Sequence, residues 1–134
     1  DRLNLPMLYV RKKPKGFGRG AQRGGNLPVG ARCLVMEDLA TAGGSLANFV
    51  DAVKQAEARV EHALVIFHYG TFPQSTATLA ERGVKLHGLA TWRDVLDAAS
   101  ASGRLDAKAQ ASVLAFLEDP EAWSLAHGGK VAAT

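Results

Sequence analysis

Apolar positions along the chain fall into two recurring patterns. Over 31–36 and 63–67 they run almost without a break, as in strands buried on both faces. Between those runs Leu46, Phe49, Val50 and Val53 recur at i, i+3, i+4 and i+7, the stripe of an amphipathic helix. Residues 73–82 predict a short helix, with Gly83 at the C-terminal cap position, and 84–90 predict a strand. Thr91-x-x-Asp94 resembles a capping box opening a helix over 92–100. Another helical stretch covers 106–118, and Asp119-Pro120-Glu121 opens a last short helix with proline at its first position. Counting 5–11, there are four candidate strands, 5–11, 31–36, 61–67 and 84–90, separated from 31 onward by helices. Such alternation predicts an α/β fold with a parallel sheet flanked by helices, and ligands at the carboxyl ends of the strands.

One of those ends carries unusual chemistry. Cys33-Leu34-Val35-Met36 leads into two adjacent carboxylates, Glu37 and Asp38. Leu39, Ala40, Thr41, Ala42, Gly43, Gly44 and Ser45 follow, and then the helix stripe begins. The order reads as strand, acidic turn, small-residue loop and helix N-terminus. Unpaired N–H groups at such a terminus lie at the positive end of the helix dipole, and small residues let an anion come close. The carboxylates suit hydroxyls on the same ligand, or a magnesium ion. A Walker loop would end in Gly-Lys-[Ser/Thr], and a dinucleotide loop would place glycines directly after the strand. Two acids followed by a phosphate cradle fit a sugar phosphate, whereas an ordinary capped strand-to-helix turn has no need of the whole set.

The charge is also unevenly placed. Arg11, Lys12, Lys13, Lys15, Arg19 and Arg23 fall in one stretch with no acid among them, interleaved with Gly16, Gly18, Gly20, Gly24 and Gly25. Such a stretch cannot pack a helix or sustain a central strand. It reads as a mobile cationic loop: a solvated loop of no consequence, a nucleic-acid arm, or a lid over a polyanionic small molecule. Acids elsewhere leave a net charge of only +3, and Phe17 is the sole aromatic residue there, which favours the lid. Gly16-x-Gly18-x-x-Ala21 imitates a dinucleotide loop, but no helix pattern follows it.

The run 33–45 resembles the phosphoribosyl-diphosphate (PRPP) signature of the type I phosphoribosyltransferases. Upstream, Tyr9-Val10-Arg11-Lys12 with Lys15 and a glycine-containing loop is similar to the strand and catalytic loop of the orotate phosphoribosyltransferase family. Phe17 stands where that family usually has histidine. Residues 65–73 and 86–92 occupy the places of its next strands, so the resemblance covers about 3–100.

The resemblance implies a type I phosphoribosyltransferase (Rossmann-like) core over 1–100, with a mobile loop 12–29 and the signature 33–45, and a helical C-terminal extension over 101–134. It also implies that an N-terminal part is missing, so that the chain alone should lack activity and present apolar surface needing a partner or self-association. The implied reaction moves ribose 5-phosphate from PRPP to orotate, giving orotidine 5'-monophosphate and diphosphate, a step of pyrimidine biosynthesis. Lys15 and Asp38 would be catalytic. Arg11, Lys12, Lys15, Glu37, Asp38, Leu39, Ala40, Thr41, Ala42, Gly43, Gly44 and Ser45 would bind PRPP. Thr41 and Tyr69 would bind orotate, Tyr69 taking the place of the family's usual arginine. Mg2+ would be held through PRPP, and the enzyme would be a homodimer whose loop 11–25 reaches the neighbouring subunit's site. The alternatives are a phosphoribosyltransferase for another nucleobase and a noncatalytic PRPP-sensing or RNA-binding regulatory domain.

Composition narrows the class without changing it. With 134 residues, 47% of them hydrophobic and 22% charged, the chain is long enough for one domain with a core. No run approaches the ~20 apolar residues of a membrane span, and no leader pattern opens the chain. The single Cys33 has no partner for a disulfide within the sequence, so a reducing cytoplasm is expected, with neither membrane nor nucleic acid as partner. His62, His68, His87 and His127 lack metal-ligand spacing. His68 adjoins the expected pocket and reads equally as a strand residue or as part of the site.

Overall fold

The computed structural model describes residues 4–10, 23–24 and 27–129. In chain order the elements are β1 (Tyr9–Val10), β2 (Arg23–Gly24), β3 (Arg32–Ala40), α1 (Gly44–Lys54), β4 (Arg59–His68), α2 (Gln74–Ala80), β5 (Lys85–Thr91), α3 (Trp92–Ala101), α4 (Ala107–Glu118) and α5 (Pro120–Ala126). Strands β3, β4 and β5 form a parallel sheet in that order, and β1 pairs antiparallel with β2 in a separate short ladder. The register runs from Arg32↔Arg59 to Ala40↔His68, and from His62↔Lys85 to His68↔Thr91. The carboxyl ends of the three strands therefore stand level.

The helix stripe does what its spacing predicts. Leu46, Phe49, Val50 and Val53 are buried and pack with Val35, Val60, Ala63 and Val65 of the sheet. Leu79 of α2 and Val84 complete this core. Burying one such side chain is worth roughly 1.5–3 kcal/mol, so the stripe alone anchors α1 against the strands it connects. Past the end of α1, Glu57 takes the left-handed conformation (φ 60), and the N–H of Ala58 reaches back to the carbonyl of Val53. A two-pronged ion pair joins α1 to the end of α2: Arg82 Nε and one terminal nitrogen each donate to Asp51 at 2.9 Å. Those hydrogen bonds, aided by the nearby positive charge of Arg82 and Lys54, hold the Asp51 carboxyl below its ordinary pKa.

The later helices follow their start signals. Thr91 and Asp94 form both bonds of a capping box, and the Asp106 and Asp119 side chains accept from the N–H groups of Ala109 and Ala122. Trp123 ties α5 to α4 by an edge contact with Phe116 and a hydrogen bond from its Nε1 to Ser112 Oγ.

Two expectations are corrected. The stretch 5–11 reads as a strand of the main sheet, yet of its described residues, 5–10, only Tyr9 and Val10 enter a ladder, and that ladder is β1–β2. Pro6 lacks the N–H a ladder needs, and Asn4 just before the stretch turns left-handed (φ 46), so pairing cannot run through its start. The parallel sheet thus has three strands among the described residues. Second, β3 does not stop at 36 but continues to Ala40, so Glu37 and Asp38 lie in the strand and not in a turn. Pairing with β4, which runs to His68, extends it, since Glu37↔Val65 and Leu39↔Phe67 keep the ladder going.

Helices α1 and α2 cover one face of the sheet. By strand alternation Leu34, Met36, Leu64, Ile66 and Leu89 share the other face, where Leu34, Met36, Ile66 and Leu89 are 53–71% exposed. His62 and His87 lie on the same face with ring nitrogens 3.1 Å apart. Parallel sheets normally have both faces covered, so this surface favours association. The chain is expected to bind a hydrophobic dye such as ANS and to gain mass with concentration in sedimentation. Ile66→Lys with Leu89→Lys should reduce both effects. A dye-silent monomer at every concentration would show that the face is tolerated in water.

Candidate functional site

The site is built where β3 hands over to α1. Gly43 occupies the N-cap position in the left-handed conformation (φ 83), and no side chain caps the helix. Ala47 N–H donates to the Gly43 carbonyl at 3.0 Å, closing the first turn. The N–H groups of the residues before Ala47 have no side-chain cap, and no acidic residue lies in that turn. Thr41, Ala42 and Gly44 are exposed and Ser45 half-buried, so an anion can reach this terminus.

Gly43 itself is buried, and its lack of a side chain is a steric requirement. A Cβ there would lie 2.9 Å from both the Cα and the carbonyl oxygen of Ser75, at the start of α2. Sequence reasoning assigned this glycine to anion approach and missed that it is also where α2 packs against the loop.

Asp38 is exposed and Glu37 half-buried. Because both lie in β3, alternation sends their side chains to opposite sides of the strand. Asp38 is therefore the more accessible acceptor for a ligand at the strand end. Tyr69, the first residue past β4, is joined to the same region by its backbone: its N–H donates to the Ala40 carbonyl at 3.0 Å, one residue before Thr41. The structure thus brings Glu37, Asp38, Leu39, Ala40, Thr41, Ala42, Gly43, Gly44, Ser45 and Tyr69 to one end of the sheet. Arg11, Lys12, Lys15 and Phe17 lie outside the described residues.

Two sets of contacts near this end, around Tyr69 and His68, are not legible in the sequence. Phe67, Tyr69 and Trp92 form a triangle of edge-on ring contacts, with centroids 5.1–6.0 Å apart. Period-two spacing of Phe67 and Tyr69 at a strand end hinted at half of it, but Trp92 arrives only through the β5–α3 junction. His68 Nε2 lies 2.9 Å from Ser75 Oγ, and burial lowers the pKa of the imidazole. A cleft of about 380 Å3 lined by Arg32, Cys33, Leu34, Arg59, Glu61 and His62 opens at the amino ends of β3 and β4, the opposite end of the sheet. Among the described residues no three His, Cys, Asp or Glu side chains gather where they could hold a metal ion.

No protein-family model matches the chain. Solved structures do. UMP synthase of Leishmania donovani superposes with a TM-score of 0.69 over 87% of this chain and 24% of that one, at 21% identity, a likeness of fold. Orotate phosphoribosyltransferase from Aeropyrum pernix superposes with a TM-score of 0.61 at 29% identity, over 74% of this chain and 53% of that one. The parallel sheet with its strand–loop–helix site is the type I phosphoribosyltransferase fold. Within that class the sequence is similar to the orotate phosphoribosyltransferases. It is 53% identical to the enzyme of Agrobacterium fabrum over 129 residues, 96% of this chain and 56% of the relative. To that of Dinoroseobacter shibae it is 52% identical over 127 residues, 95% of this chain and 56% of the relative. The chain is homologous to these enzymes over nearly all its own length, and spans about half the length of the curated relatives it matches.

The close approach at Gly43 sets a contrast with its neighbour. Gly43→Ala places a Cβ against Ser75 and forces an alanine to positive φ, and is expected to cost on the order of 1–3 kcal/mol in urea unfolding. Gly44→Ala meets open space at the first helical position and should be neutral or stabilising by about 0.5–1 kcal/mol. Equal stability of the two variants would contradict the packing described.

Proposed function

We propose that a protein carrying this chain is an orotate phosphoribosyltransferase, transferring ribose 5-phosphate from PRPP to orotate to give orotidine 5'-monophosphate and diphosphate in pyrimidine biosynthesis. The observation that carries the reading is the uncapped N-terminus of α1 behind the small-residue loop 41–43, level with Asp38 and Tyr69, in a chain homologous to that family.

Residues 40–45 take the 5-phosphate on backbone N–H groups. Asp38, with Glu37 behind it, accepts hydrogen bonds from the ribose hydroxyls. The carbon–oxygen bond to diphosphate breaks as the bond to the base nitrogen forms, so the anomeric carbon passes through a cation-like state and charge collects on the leaving group. Carboxylates near the ribose stabilise the first charge, and Arg11, Lys12 and Lys15 neutralise the second beneath a closed loop that excludes water. Thr41 and Tyr69 hold orotate. The Phe67–Tyr69–Trp92 triangle gives the base a largely apolar wall, with one phenol where the family usually has a guanidinium. Asp38, the exposed carboxylate at the strand end, is a hard oxygen donor that would face a magnesium ion arriving with PRPP, which would add positive charge beside the diphosphate; Glu37, on the other side of the strand, would not share that ion. The working form is a cytoplasmic homodimer whose loop 11–25 closes over the partner's site.

The test is turnover of orotate and PRPP by a protein that contains this chain at the length of its relatives. Asp38→Asn should leave the fold intact, by circular dichroism, and lower kcat by about 10²–10³, the usual cost of one preorganised contact. Diphosphate release with another nucleobase and none with orotate would move the specificity. Activity of Asp38→Asn within a few-fold of the parent would remove Asp38 from its role. No turnover by the parent, with RNA binding that weakens steeply in salt, would make the protein a regulator instead.

A further inference from the structure

His68 stands at the end of β4, between the two loops that make the site. Ser75, opposite it, is fully buried. The Ser75 hydroxyl donates to the carbonyl of Phe72 at 2.7 Å. A carbonyl can only accept, and a serine hydroxyl has one proton, so that proton is committed. The Ser75 oxygen must then accept from His68, at 2.9 Å, and His68 must carry hydrogen on Nε2. In the neutral ring, which burial favours, Nδ1 is left without one.

This short relay has no slack on either side. Gly43 touches Ser75 so closely that a Cβ would fall 2.9 Å from its backbone. On the far side a Cβ at Gly88 of β5 would fall 2.9 Å from the Cβ of His68. Gly43, Ser75, His68 and Gly88 thus form one packed column through the loop after β3, the first turn of α2, the end of β4 and β5. At its head, Gly43 is the N-cap that aims the first amides of α1. Loss of the His68 donor would leave the buried Ser75 oxygen with an unfilled acceptor and loosen the side chain of the residue whose backbone packs against Gly43.

We propose that His68 is a positioning residue for the phosphate loop 41–45, acting through Ser75 and touching no ligand. This rests on the reading that the loop takes a phosphoryl group. Glutamine reaches as far as the imidazole Nε2 and presents an N–H there. Asparagine stops at the Nδ1 position, and leucine has no donor.

The experiment measures ribose 5-phosphate binding to the 134-residue chain by calorimetry and by amide shifts, with 15N spectra of the imidazole nitrogens. The parent should bind with shifts at Gly43, Gly44 and Ser45, and His68 should show the Nε2–H tautomer. His68→Gln should bind within about threefold of the parent, and His68→Asn and His68→Leu roughly tenfold more weakly, the worth of one hydrogen bond. Unchanged affinity in folded His68→Asn or His68→Leu overturns the positioning role and leaves the phosphate site standing. A parent chain that binds no ribose 5-phosphate at 43–45 overturns both readings. If the variants fail to fold, the tautomer decides: hydrogen on Nδ1 with Nε2 bare breaks the relay, and hydrogen on Nε2 upholds it.

Discussion

Parallel pairing of β3 with β4 is the constraint on which the functional end depends. Held from Arg32↔Arg59 to Ala40↔His68, it brings the two strands to their carboxyl ends at the same height. One further bond, from Tyr69 N–H to the Ala40 carbonyl, carries the ladder past the last paired residues. The loop that leaves β3 at Thr41 and the loop that leaves β4 at Tyr69 therefore start side by side. A ligand that spans both loops needs that adjacency, and neither loop could create it alone.

The packed face and the site are the same construction seen from two sides. Leu46, Phe49, Val50 and Val53 bind α1 to the sheet, which fixes where its N-terminus points. Arg82 and Asp51 then tie α1 to the end of α2, while Gly43 and Ser75 bring the other ends of those helices together. The two helices are thus joined at both ends across one face. The opposite face, with Leu34, Met36, Ile66 and Leu89 open, has no such cover among the described residues.

Local patterns made much of this legible in advance. The i, i+3, i+4, i+7 stripe placed α1, the apolar run 63–67 placed β4, and Thr91-x-x-Asp94 placed α3 to within a residue. Each is a short-range signal whose physics lies in neighbouring residues. What escaped notice depends on distant ones. The extension of β3 through Glu37 and Asp38 comes from pairing with β4, and no local propensity marks it. Trp92 joins Phe67 and Tyr69 only because β5 lies beside β4, and Ser75 meets Gly43 only once α2 packs. Of the candidate strand 5–11, only Tyr9 and Val10 enter a ladder among the described residues: its apolar residues suit a strand, but Pro6 has no N–H to give one. The homology, by contrast, was carried by ordered chemistry, the acids, glycines and hydroxyl of 37–45, which a strand–helix turn does not otherwise require.

The most direct measurement is a crystal structure of the chain with PRPP. The expected density places the 5-phosphate against the amides of Gly43, Gly44 and Ser45 and the ribose hydroxyls against Asp38. PRPP bound instead between Arg32 and Arg59, in the cleft at the amino ends of β3 and β4, would contradict the site, for those strands would then bind their ligand at the wrong end.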